Sequence, residues 1–255
     1  MRTLPVSSSR PRRQVRVHAH AALALLLCAT LAAPAVEAAC TPVPLPAFDV
    51  TGAQGWVHTP LSRLKRDTVY RVTQDGAERV LRAEANGSAS AFVHMQRVDP
   101  AQHPVLTWRW RTDALVADAD NTNAKREDAP VRVIVGFDGD KTKLPDKEQR
   151  RFAQAKKLSG RDMPYATLMY IWENRQPVNT VIDSAHTTRL KMVVVESGPQ
   201  GVGSWRSYQR NLVEDYQRAF GEPPGRILGF AVMTDTDNTG EKASALYGAM
   251  QLGCK

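Results

Sequence analysis

Cysteine is scarce here, three in 255 residues, and none of the three lies in a CxxC or Cys/His spacing, which removes the usual thiolate zinc sites. Histidine is thin as well: beyond residue 38 only His58, His94, His103 and His186 occur, too scattered to spell a metal motif. No nucleophile elbow, HExxH or phosphate-binding loop occurs, so the commonest readable enzyme signatures are excluded. Long apolar runs are missing too. The longest, 21–33, has thirteen residues, whereas a spanning helix needs about 20. With no internal repeat, linker or low-complexity tract, the chain beyond its first residues reads as one domain, 39–255.

What those first residues carry is an export signal. Arg2, Arg10, Arg12, Arg13 and Arg16 precede the leucine-rich run, and Val36-Glu37-Ala38 satisfies the small-x-small cleavage rule, so residues 1–38 read as a signal peptide. The destination is the periplasm or the exterior, by general secretion or, through Arg12-Arg13, by the twin-arginine route. Cys40 as a lipid-attachment site is disfavoured by Glu37, which stands where such a signal wants an apolar residue.

Removing the signal changes the charge argument. The whole chain is at +8 with 34 basic and 26 acidic residues; five of the former and one of the latter lie in 1–38, which leaves 29 against 25, or +4. A mildly basic exported domain has no special claim on nucleic acid, and its basic residues read mainly as a solvated surface. Cys28 leaves with the signal, and Cys40 and Cys254 remain at the two ends. In an oxidising compartment two thiols persist best as a disulfide, and two allow one pairing, which would tie the first and last strands together.

Strand-like runs dominate the rest: 68–73, 79–85, 88–98, 105–112, 130–137, 166–172, 189–196, 227–234 and 243–252. Asn86-Gly87 reads as a hairpin turn. Two helices are expected, an exposed one over 145–158 and an amphipathic one over 208–220 with Leu212, Tyr216, Ala219 and Phe220 near one face. Together these predict a mostly all-β fold, an antiparallel β-sandwich of jelly-roll type with one or two peripheral helices.

An ordered set of motifs carries a family resemblance. Trp108-Arg109-Trp110-Arg111, then Asp128, Pro130 and Arg132, then Trp205, Arg210-Asn211, Asp215-Tyr216 and Phe220-Gly221, and finally 234–239 with Tyr247-Gly248, resemble domain of unknown function 3047. The resemblance implies an exported bacterial protein with a β-sandwich core and brings no activity with it. Ala249 departs from the pattern, since an acidic residue often follows the final Tyr-Gly.

Candidate site residues follow from strand alternation. Trp108 and Trp110 share one face, Arg109 and Arg111 the other; Val131, Val133, Val135 and Phe137 share a face that excludes Arg132. Arg109, Arg111 and Arg132 are therefore expected to converge on a solvated side, either to bind an anionic ligand or as ion pairs with Glu127, Asp128 and other carboxylates. The segment 235–240, Asp-Thr-Asp-Asn-Thr-Gly, reads as a side-chain-capped turn, a calcium site through Asp235 and Asp237, or a ligand contact through Asp235 and Asn238. No other cofactor is expected.

Glu173 with Asp235 or Asp237 forms a candidate acid/base pair for glycoside hydrolysis, and His94, Tyr170 and Tyr208 are nominal bases for a polysaccharide lyase. Trp108, Trp110, Trp172, Trp205 and Tyr247 divide between a core, expected to take three of them, and a sugar-stacking platform. The leading expectation is binding of a glycan or other anionic envelope ligand without turnover. The alternatives are an envelope-polysaccharide hydrolase or lyase and a non-catalytic scaffold with a protein partner.

Overall fold

The computed structural model describes residues 40–254, so the expected signal peptide at 1–38 lies outside the described residues. Two sheets face each other. The first joins β1 (Val43–Pro44), β3 (Val69–Asp75), β4 (Glu78–Asn86), β6 (Val105–Thr112), β11 (Arg206–Asn211), β13 (Lys242–Tyr247) and β14 (Gln251–Gly253). The second joins β2 (Trp56–Pro60), β5 (Ala89–Val98), β7 (Ala129–Phe137), β8 (Ala166–Glu173), β9 (Val181–Asp183), β10 (Leu190–Ser197) and β12 (Ile227–Asp235). Its strands run in the order β2-β5-β12-β7-β8-β10-β9, antiparallel except between β8 and β10. This is the jelly-roll-like sandwich that the strand pattern predicts, with α1 (Asp146–Ser159) and α2 (Leu212–Phe220) outside the sheets.

Alternation builds the core. Leu106, Trp108 and Trp110 of β6 point inward against Val131, Val133, Val135 and Phe137 of β7, all buried. Each such side chain contributes roughly 1.5–3 kcal/mol through burial. The Trp108 ring lies 4.9 Å from Tyr170 and 5.3 Å from Tyr208. No helix among the described residues is long and apolar enough to cross a membrane.

Three local expectations are corrected. Residues 208–211 are not helical: Tyr208 pairs with Trp108 in β11, and the helix starts only after Asn211, whose side-chain oxygen accepts from the backbone N–H of Val213 and Glu214. The run 243–252 is two strands. Tyr247 opposes Trp110 and Gln251 opposes Thr107, so four residue steps face three, and the extra residue is a bulge at 248–250. Asn86-Gly87 closes no hairpin, because β4 and β5 belong to different sheets; Gly87, at φ +52°, carries the chain across while its N–H donates to Glu241.

The ends meet as expected. Cys40 and Cys254 form a disulfide with 5.8 Å between Cα atoms, and Val43 of β1 pairs with Leu252 of β14 beside it.

Candidate functional site

The site grows from the outward face of the second sheet. If Val131, Val133 and Val135 turn inward, Arg132, Ile134 and Gly136 must turn out, and the register aligns them with Met233, Ala231 and Gly229 of β12. β5 continues the same rows with Ala91, Val93 and Met95, and β2 adds Val57 and Thr59. Small residues keep the middle of this floor low. At Gly136 an added Cβ would come within 2.8 Å of Pro164, so the glycine lets the 159–164 segment sit against the sheet as one wall. The opposite wall is the 60–65 loop, and the cleft so formed has a volume of about 640 Å³.

Its floor is mostly apolar, Ser159, Arg161, Asp162 and His186 add polar groups to the lining, and a cluster of charged side chains stands at the Arg132 end. Arg132, only 1% exposed, lies 3.3 Å from an Asp235 oxygen and donates to the Glu127 carbonyl at 2.7 Å. Lys65 pairs with Asp237, and the backbone N–H groups of Asn238 and Thr239 donate to Asp128. Asp128 therefore holds the 235–240 turn rather than pairing with the arginines. Burial pushes the Asp235 carboxyl well above the ordinary carboxylate range, with Asp237 and Asp128 adding to the effect against the pull of Arg132. Three buried atoms at this end have no partner: Asp237 Oδ1, Glu127 Oε2 and Arg132 Nε. They are enclosed by protein, so the groups that face the open cleft at this end are the remaining polar edges of Lys65, Glu127, Asp237 and Asn238.

The arginines do not converge. Arg132 is in the second sheet, whereas Arg109 and Arg111 lie on the outward face of the first, where Arg109 pairs with Glu78 and Arg111 is 3.5 Å from Asp75. Their guanidinium carbons sit 4.2 and 5.8 Å from the Trp205 ring centre. Membership of different sheets decides this, and alternation within one strand cannot show it.

Glu173 is also apart: its carboxylate accepts from the N–H groups of Arg175 and Gln176 and does not line the cleft. Tyr170 is buried and donates to Asp215, and Tyr208 donates to Glu196, so neither serves the cleft as a base; burial raises both phenols further. The core takes four of the five aromatics, Trp108, Trp110, Trp172 and Tyr247, rather than three, and among the described residues no Trp, Tyr or Phe lines the cleft.

Lys65, Glu127, Met95 and Met233 are cleft residues that sequence reasoning did not place there. Only the period-2 alternation of β5 and β12 signals the two methionines, and nothing local signals Lys65.

Asp128, Asp235 and Asp237 each bring an oxygen within 4.8 Å of the others, a donor set that suits a hard cation. All three already have protein partners, which is what a side-chain-capped turn requires. Added calcium is accordingly expected to leave the melting temperature unchanged; a rise that Asp237→Ala abolishes would instead establish a cation site.

Among solved structures, the glycoside hydrolase domain of Endo-D (Spr0440) from Streptococcus pneumoniae R6 aligns at TM-score 0.34 and 7% identity, covering 78% of this chain and 21% of that one. The chain thus spans about a fifth of that protein. The family GH12 endoglucanase 3 of Trichoderma harzianum aligns at TM-score 0.40 and 8% identity, covering 79% of this chain and 95% of that one. No curated protein matches the sequence. The sequence model described as protein of unknown function (DUF3047) matches residues 54–251, and with that span the chain belongs to the DUF3047 family.

Proposed function

We propose that this protein is an exported binding protein that holds an amphiphile in the cleft without turnover, its apolar body along the floor and a hydroxylated head, such as a sugar, at the Arg132–Asp237 end. The observation that carries the reading is the cleft lining, an apolar sheet floor that runs up to Lys65, Glu127, Arg132, Asp235, Asp237 and Asn238. Asp237 and Glu127 offer acceptors there, so a ligand must bring donors, and Lys65 and the Asn238 amide offer donors, so it must also bring acceptors. A hydroxyl group is both; a bare carboxylate ligand only accepts. The apolar floor supplies affinity to the rest of the ligand, and the lack of aromatic lining favours an aliphatic body over a stacked sugar chain. The glycan expectation is thereby narrowed to a sugar carried on an apolar chain.

Titration calorimetry with alkyl glucosides of graded chain length tests this. Affinity is expected to rise about fourfold per added methylene, and Asp237→Ala to weaken it roughly tenfold or more through the lost charged hydrogen bond. Equal binding of free glucose and of the longest glucoside would sink the proposal.

A second reading rests on Asp235. Burial raises that carboxyl, Asp237 stands two residues away in the same cleft, and a pair of carboxyl groups is what a hydrolase would use for acid/base work. Release of free sugar from the same glucosides, lost in Asp235→Asn, would favour the enzyme.

A further inference from the structure

Charge is distributed unevenly over the molecule. Residues 61–67 and 140–162 together hold 11 Lys and Arg against five Asp and Glu, a charge of +6. The rest of 40–254 holds 17 against 20. These are the two walls of the cleft and the helix α1 that leads into one of them, and they touch: Arg161 donates to the Pro60 carbonyl at 3.2 Å. Most of the charge is free. Lys147, Arg150 and Lys157 of α1 and Arg63 of the facing loop are exposed. Of the net charge, pairing outside the two segments absorbs, among the described residues, only that of Lys65, with Asp237; Lys143, Arg151 and Lys156 pair with Asp140, Glu148 and Asp162, which the count already includes.

Apolar side chains stand out of the same surface. Leu64 is 97% exposed and Leu158 69%, one on each wall, with Leu61 and Met163 also exposed between them and the cleft. Solvated leucines set among lysines and arginines are costly in water and productive where an anionic plane overlies an apolar interior.

We propose that the rim of the cleft docks on the surface of an anionic bilayer, with α1 and the 61–66 loop facing the headgroups and Leu64 and Leu158 entering the interface. Charge complementarity selects this partner: the positive rim meets the negative leaflet, and the rest of 40–254, with 17 basic against 20 acidic residues, offers such a surface no net attraction. The docked orientation puts the open cleft against the membrane. It gives an amphiphile a path from leaflet to cleft without passing through water, although the docking itself does not depend on the identity of the cleft ligand.

The test is flotation of the compact unit 39–255, which contains both sheets and the disulfide, with phosphatidylglycerol vesicles and with phosphatidylcholine vesicles. Binding is expected to the first and not the second, and to fall with salt. Lys156→Gln with Lys157→Gln should weaken it about 25-fold, roughly fivefold per lysine. Leu64→Ser and Leu158→Ser, both at exposed positions that folding does not need, should each weaken it about tenfold. Asp237→Ala, which frees Lys65, should float at least as strongly as the parent, whereas headgroup capture inside the cleft would make it float less.

If the serine variants float unchanged while the glutamine variant does not, the rim recognises polyanions in general and bilayer docking is overturned. Equal binding to phosphatidylcholine overturns it as well.

Discussion

Cys40→Ala is expected to remove about 5 kcal/mol of stability, the value that chain-entropy arguments attach to a closed loop of this size. The two cysteines are 214 residues apart, so the bond closes nearly the whole described chain. In the native state it secures little beyond β1, whose short pairing with β14 covers Val43 and Pro44. Most of the effect therefore lies in the unfolded state, whose ends are no longer held together. Urea titration of parent, Cys40→Ala and Cys254→Ala measures it, and reduction of the parent should reproduce either variant. Amphiphile affinity should be nearly unchanged, because the cleft lies on the second sheet and the disulfide at the margin of the first. A loss below about 1 kcal/mol would mean that the reduced, unfolded chain keeps its ends close by other contacts.

The same distinction between local and long-range information divides what the sequence discloses. The nine strand runs are legible because each needs only its own alternation: Val131 to Phe137 reads as a buried face whether or not its partners are known. Pairing is not legible in that way. Asn86-Gly87 has the composition of a tight hairpin, yet β4 finds β13 and β5 finds β12, so the turn residues serve a crossing between sheets. Tyr208 to Asn211 fits a helical face by spacing, and β6 claims it for a strand.

The site follows the same rule. Asp235, Asp237 and Asn238 are close in sequence and fall at the cleft end as one loop. Arg132 joins them from β7 because Met233 lies opposite it in the register, while Arg109 and Arg111, equal candidates by alternation, are carried to the other side of the sandwich. Lys65 and Glu127 come from loops whose positions only the closed fold determines. The leucines of the rim are the reverse case: the sequence singles out neither Leu64 nor Leu158, the latter closing a helix expected to be exposed, and only their exposure makes them informative.

Arg132→Ala is expected to cost about 3–5 kcal/mol, the usual penalty for leaving one member of a buried pair without the other. Arg132 is 1% exposed and Asp235 5%, and no other cation is recorded in a salt bridge with Asp235 among the described residues. The pH dependence follows from the direction of the Asp235 shift. A carboxyl raised by burial is protonated over a range in which the unfolded carboxyl, near 3.9, is already ionised, so its contribution to stability is present at low pH and is lost as pH rises through the folded value. Removing Arg132 deletes the one attraction that opposes this rise, so the variant should tolerate mild acid and weaken progressively towards neutral pH, more steeply than the parent. Arg132→Met with Asp235→Asn removes both charges, and methionine suits a site where the guanidinium already contacts the sulfurs of Met169 and Met192. That double variant should recover most of the lost stability and flatten the pH profile. If Arg132→Ala is no less stable at neutral pH than in mild acid, Asp235 is not the group that Arg132 neutralises, and the polar end of the cleft is held together by the Glu127 carbonyl and Asn121 contacts instead.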